Sequence, residues 1–97
     1  MVVEFLTFKV PVEDRQEWLR ADADHWTRFL ESQQGFIRKE IWVPEGDPGT
    51  VHAVIWWSTL EAWHSISNDA LDEVRARMGE HELPATLSTF EVLVPDD

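Results

Sequence analysis

Two stretches of the chain, Val2 to Val10 (VVEFLTFKV) and Val51 to Ser58 (VHAVIWWS), carry large apolar side chains at both odd and even positions. Phe5 opposes Leu6 and Phe8 in the first, and Val54 and Trp56 oppose Ile55 and Trp57 in the second. Successive side chains of a strand point to opposite faces, so such strands belong in the middle of a sheet covered on both sides.

The rest of the chain says how that sheet is built. Pro11 stops the first strand, and Glu13 to Gln34 reads as a helix with Glu13, Asp14 and Glu17 near its positive end. Its apolar stripe runs Trp18, Leu19, Trp26, Phe29, Leu30 at helical spacing, with a gap at Asp22. Gly35 is placed as its left-handed cap. Phe36 to Val43 is a second strand, and the loop of Pro44 to Gly49 joins it to the third as a hairpin. Ser58-Thr-Leu-Glu61 matches a capping box, opening a helix that breaks near Ser67-Asn68 and resumes from Asp69. Pro84 closes it, and Leu87 to Val94 is the last strand. The order β-α-β-β-α-β is the split βαβ, or ferredoxin-like, motif. Right-handed crossovers then give a four-stranded antiparallel sheet with strands one and three central and both helices on one face.

That leaves the other face bare. A symmetric hairpin sets Trp42 opposite His52, Glu40 opposite Val54 and Arg38 opposite Trp56, so one face mixes tryptophans with charge. The second holds Ile37, Ile41, Val43, Val51, Ala53, Ile55 and Trp57, nearly all apolar, and belongs under the helices. The first, with Arg38, Glu40, Trp42, His52 and Trp56, is expected to meet a second copy of the chain, since two-fold pairing is the common way to bury such a face. The alternative is a monomer with a half-wet sheet.

Size and charge narrow the function classes. Ninety-seven residues suit one domain, taken as 1–97. Eight basic against nineteen acidic side chains give a net charge of −11, which repels nucleic acid and anionic lipid. No apolar run is long enough to span a bilayer, and Met1-Val2-Val3-Glu4 has no basic region of a signal peptide. With zero cysteines, thiolate metal sites and cysteine nucleophiles are excluded and a cytoplasmic setting is the default. Four histidines without HxH, HxxxH or HExxH spacing give no preformed metal site, and no cofactor is expected.

Several strings of the chain together resemble a known family. These are Val2-Val-Glu-Phe-Leu-Thr-Phe-Lys-Val-Pro11, Trp26-Thr27, Gly35-Phe-Ile-Arg-Lys-Glu-Ile-Trp42, and Val54-Ile-Trp-Trp-Ser58 with Glu61 and Trp63. They resemble a cyanobacterial family, itself without an established activity, in the dimeric α+β barrel superfamily, which includes antibiotic-biosynthesis and haem-degrading monooxygenases. The resemblance implies a homodimer and, by extension, oxygenase-like chemistry without metal or flavin. The haem-degrading branch has an axial histidine where this chain has Arg75, and a first-strand asparagine where the nearest polar residues are Thr7 and Lys9.

On the expected packing, His25, Trp26, Trp57, Trp63 and His64 converge. Cofactor-free oxygenation needs an apolar pocket for a flat ligand, a base and a donor. Trp26, Trp57 and Trp63 would wall the pocket for a small apolar or aromatic ligand, His64 and His25 would serve as bases, and Asn68 and Arg75 would orient the ligand. Tryptophans at helical spacing also read as plain core, leaving a non-enzymatic ligand-binding or assembly module. His52 with Glu40 and Trp42 is a second polar group, on the partner-facing side.

Overall fold

The computed structural model describes residues 1–95. Strand β1 (Val2–Lys9) leads through a 3₁₀ turn (Val12–Asp14) into a long composite helix. That helix consists of α1 (Arg15–Asp22), a π-helical segment (Ala23–Thr27) and α2 (Arg28–Glu31). Strands β2 (Phe36–Trp42) and β3 (Thr50–Trp57) form the hairpin, helices α3 (Leu60–His64) and α4 (Asn68–Met78) follow, and β4 (Thr86–Glu91) ends the sheet. The sheet order is β2-β3-β1-β4, all antiparallel, with the two doubly apolar strands in the centre.

The hairpin register is the symmetric one: Trp42 faces His52, Glu40 faces Val54 and Arg38 faces Trp56. It departs at Ile37, where a bulge lets Phe36 pair with Trp57 while Arg38 pairs with Trp56. The extra residue of a bulge is left out of the ladder. Ile37, expected under the helices, is therefore 44% exposed, and Val43 lies past the strand end, also exposed. The helix caps differ by one residue from the expected box. Thr59, not Ser58, caps α3 by accepting from the Ala62 N–H, and Ser67 caps α4 by accepting from the Ala70 N–H. Ser58 instead gives its backbone N–H to the Gly35 carbonyl. Gly35 is bound on two counts: its φ is +87°, and a Cβ there would stand 2.4 Å from the Cβ of Ala62.

Under the helices the core divides into two lobes. One joins Val10, Trp18 and Val51, with Phe8, Leu19, Ile41 and Leu83 packed against them. The other joins Leu30, Ile55 and Trp57, with Phe29, Phe36, Trp63 and Ile66 among their neighbours. Between the lobes β3 presents Ala53, whose single methyl cannot fill the space above it. Trp57 has no exposed surface, so Trp57→Ala is expected to cost about 3–5 kcal/mol by urea unfolding.

Candidate functional site

The space over Ala53 is a cavity of about 360 Å³ between the sheet and the helices. Its floor comes from the helix-facing positions of three strands: Glu4, Leu6 and Phe8 of β1, Ala53 and Ile55 of β3, and Lys39 of β2. Trp26, Trp63, Ile66 and Leu71 supply apolar wall, and Glu82 to Ala85 close the side next to β4.

Five charged side chains line this cavity: Glu4, Asp22, Lys39, Arg75 and Glu82. The Lys39 ammonium donates to Asp22 Oδ2 at 2.6 Å and to Thr27 Oγ1 at 2.9 Å, and the Lys39 and Asp22 side chains are only 5% and 6% exposed. The π-helical segment makes this convergence. In an α-helix two residues five apart sit about 140° apart around the axis. An i→i+5 turn brings them to one face, and Asp22 and Thr27 flank it with that separation. Glu4 accepts a hydrogen bond from the Trp57 indole N–H at 3.1 Å. Burial holds its carboxyl above the ordinary glutamate range, partly offset by that hydrogen bond and by the Lys39 ammonium.

Of the residues expected from the sequence, Trp26, Trp63 and Arg75 line this cavity. The Trp26 N–H donates to Glu82 at 3.0 Å, while Arg75 pairs with Asp72 at 2.8 Å on the exposed side of α4. Trp57 does not line the cavity; it packs behind lining residues such as Ile55 and Leu30 and donates its indole N–H to Glu4. His25, His64 and Asn68 do not line it. His25 is half-buried on the π-helical segment, His64 is exposed with its ring 4.8 Å from that of Trp63, and Asn68 is exposed at the start of α4. The 3.6-residue period explains the histidines, since the neighbour of an inward tryptophan points about 100° away.

Glu4, Asp22, Lys39 and Glu82 line the cavity without being among the site residues expected from the sequence. Two signals for them were present: the polar gap at Asp22 in an apolar stripe, and the strand parity that sets Glu4 with Leu6 and Lys39 with Ile41.

The opposite sheet face is an aromatic layer. Phe5 is ringed by His52, Phe90 and Trp42 at centroid distances of 4.7, 5.8 and 6.2 Å. The Arg38 guanidinium lies 4.1 Å over Trp56, and Glu40 accepts from the Trp42 indole and pairs with Arg38. His52 meets Thr7 at 3.0 Å across β1 rather than Glu40.

A four-stranded antiparallel sheet with a cavity beneath its helices defines a ferredoxin-like α+β protein. The model of the antibiotic biosynthesis monooxygenase family matches residues 1–78, and the chain belongs to that family. No curated protein matches the chain. Among solved structures it is similar to SnoaB, a cofactor-independent oxygenase from Streptomyces nogalater (17% identity, 98% of this chain and 97% of that one, TM-score 0.73). It is also similar to the ActVA-Orf6 monooxygenase of Streptomyces coelicolor, solved with nanaomycin D (13%, 98% and 92%, 0.75). A third is the haem-degrader MhuD of Mycobacterium tuberculosis, solved with two haems (22%, 100% and 100%, 0.69). At these identities the likeness is one of fold.

The lining does not fit haem. Iron in such sites takes histidine, cysteine, methionine or tyrosine, and among the described residues the cavity presents none of them. Nor does any group of three metal-ligating side chains gather among the described residues.

Two outcomes test the polar floor. Lys39→Met strands a buried carboxylate and is expected to cost about 3–5 kcal/mol in chemical unfolding, much of it restored when Asp22→Asn is added. Glu4 keeps its proton in the folded chain at a pH where the unfolded chain has lost it. Stability should therefore fall as pH rises from the ordinary glutamate range through the raised value, and Glu4→Gln should flatten that slope.

Proposed function

We propose that the chain is a homodimeric, cofactor-independent, monooxygenase-like protein acting on a small, largely apolar or aromatic ligand. The observation that carries this reading is the cavity over Ala53: apolar walls with two tryptophans, and on its floor a desolvated carboxyl beside a buried ammonium. Such a site excludes water, stacks a flat ring and offers an acid–base group, the three needs of anion-forming oxygenation. Family membership and the oxygenase activities of the two Streptomyces neighbours point the same way. The narrower kinship with the cyanobacterial group rests on the motif strings alone.

The homodimer is inferred from the aromatic face. Trp42 and Phe90 are 45% and 53% exposed, and they adjoin Phe5, His52 and Trp56 on a sheet side that no helix covers among the described residues. A second copy presenting the same face would bury both.

Oxygen uptake and product mass are to be measured with a panel of planar phenols and hydroquinones under air. The expected result is one oxygen atom added to product, with turnover lowered at least about tenfold by Ala53→Leu, which fills the cavity, while native mass spectrometry still shows a dimer. Ligand binding without oxygen uptake would make the protein a binding module. A monomer would remove the second copy from the aromatic face.

A further inference from the structure

Between α4 and β4 the chain runs from Gly79 to Ala85 as a strap along the helix side of the sheet. Glu82, Leu83, Pro84 and Ala85 line the cavity over Ala53. Glu80, His81 and Leu83, together with Val10, Pro11 and Trp18, line a second cavity of about 320 Å³. Leu83 is the single described residue common to both linings, and it packs against the lobe of Val10, Trp18 and Val51. One leucine side chain thus stands between the two spaces.

Side chains rather than backbone hold the strap in place. One backbone bond closes its 3₁₀ turn, from the Glu82 N–H to the Gly79 carbonyl. Among the described residues no backbone–backbone bond ties Leu83, Pro84 or Ala85 to a helix or to the sheet, and the β4 ladder starts at Thr86, opposite Thr7. Two indoles of the first helix supply the anchorage. The Trp18 N–H donates to the His81 carbonyl and the Trp26 N–H to Glu82 Oε1, each at 3.0 Å. The His81 ring also stands 3.4 Å from Glu17 Oε1. A segment with so few backbone bonds opens at low free energy. Gly79 lies at φ +57°, with open space where a Cβ would stand, so its backbone is free to turn. Pro84 holds a fixed φ near the far end.

Building on the cavity reading above, we propose that the strap is the door of the cavity. It swings about Gly79, releases the two indole bonds and draws Leu83 out of the partition. The two spaces then join into one passage from solvent to Ala53, through which ligand enters and product leaves. Closed, the strap keeps water from the apolar ground. Trp26 then has two tasks: its ring walls the cavity and its N–H holds the door.

The test is stopped-flow quenching of tryptophan fluorescence by 4-nitroanisole, a neutral nitroaromatic ether, because a door sets rates without setting affinity. Glu82→Leu removes a charged acceptor from the latch, a loss that raises the open population about tenfold. Association and dissociation rates should therefore rise together by about tenfold, with Kd within about twofold of wild type. Glu82→Gln, which keeps an acceptor for the Trp26 N–H, should return both rates close to those of wild type. The chain has no cysteine, so Glu17→Cys/His81→Cys can be joined selectively by a short bis-maleimide. The joined protein should show both rates at least about tenfold below the unjoined one. A Glu82→Leu effect confined to the dissociation rate would make Glu82 plain wall and overturn the door. Joining that leaves both rates unchanged, while the ether still binds, would overturn the door and leave the cavity standing. Failure of the ether to bind wild-type protein would overturn the cavity reading, and the door with it.

Discussion

A lysine ammonium and an aspartate carboxylate 2.6 Å apart, nearly sealed from water, organise the interior of this protein. Removing two charges from water costs several kcal/mol each, and their attraction at best offsets that loss. A pair of apolar side chains of similar volume would serve stability as well. The pair is instead served by a second irregularity, since the first helix leaves α-helical winding for five residues and so brings Thr27 round to the same ammonium. Two departures from the cheapest packing, each supporting the other, mark the place where function is to be sought.

Around that pair the sheet performs two separate tasks. Its helix-facing side closes into two apolar lobes, one about Trp18 and one about Trp57, and leaves a gap where β3 narrows to Ala53. Glu4 and Lys39 enter beside that gap, from the two strands that flank β3, on the rung of Ile55. The other side carries Phe5, Trp42, Trp56 and Phe90 with Arg38 and Glu40, a surface with the aromatic and arginine content of a subunit contact. Edge-to-face ring contacts and the guanidinium over Trp56 give this layer a fixed geometry. The chain is thus doubly apolar at β1 and β3 for two reasons, a core on one face and an aromatic layer on the other.

The architecture was legible because strand periodicity and the order of elements are local signals. The apolar pattern of Val2 to Val10 and Val51 to Ser58 placed those strands centrally, and the symmetric register assumed for the hairpin is the one observed from Arg38 to Trp42. What escaped was set by single-residue irregularity. A bulge at Ile37 and a π-helical turn after Asp22 each shift which side chains face inward, and neither has a propensity signature. The site was half legible for a related reason. Trp26 and Trp63 follow from helical spacing, whereas histidine's ordinary titration range drew attention to His25 and His64, which helix geometry turns away from the cavity. Glu4 and Lys39 are brought to the cavity by their common pairing with Ile55.

The most direct test of a shared, desolvated Glu4–Lys39 site is a carbon-13 NMR titration of the Glu4 side-chain carboxyl. It is to be run in the wild-type protein and in Lys39→Met on an Asp22→Asn background. The expected result is a midpoint above the ordinary glutamate range in the wild type, moved higher still once the ammonium is gone. An ordinary midpoint, unmoved by loss of Lys39, would mean that Glu4 stands in water and that the two groups do not share a site.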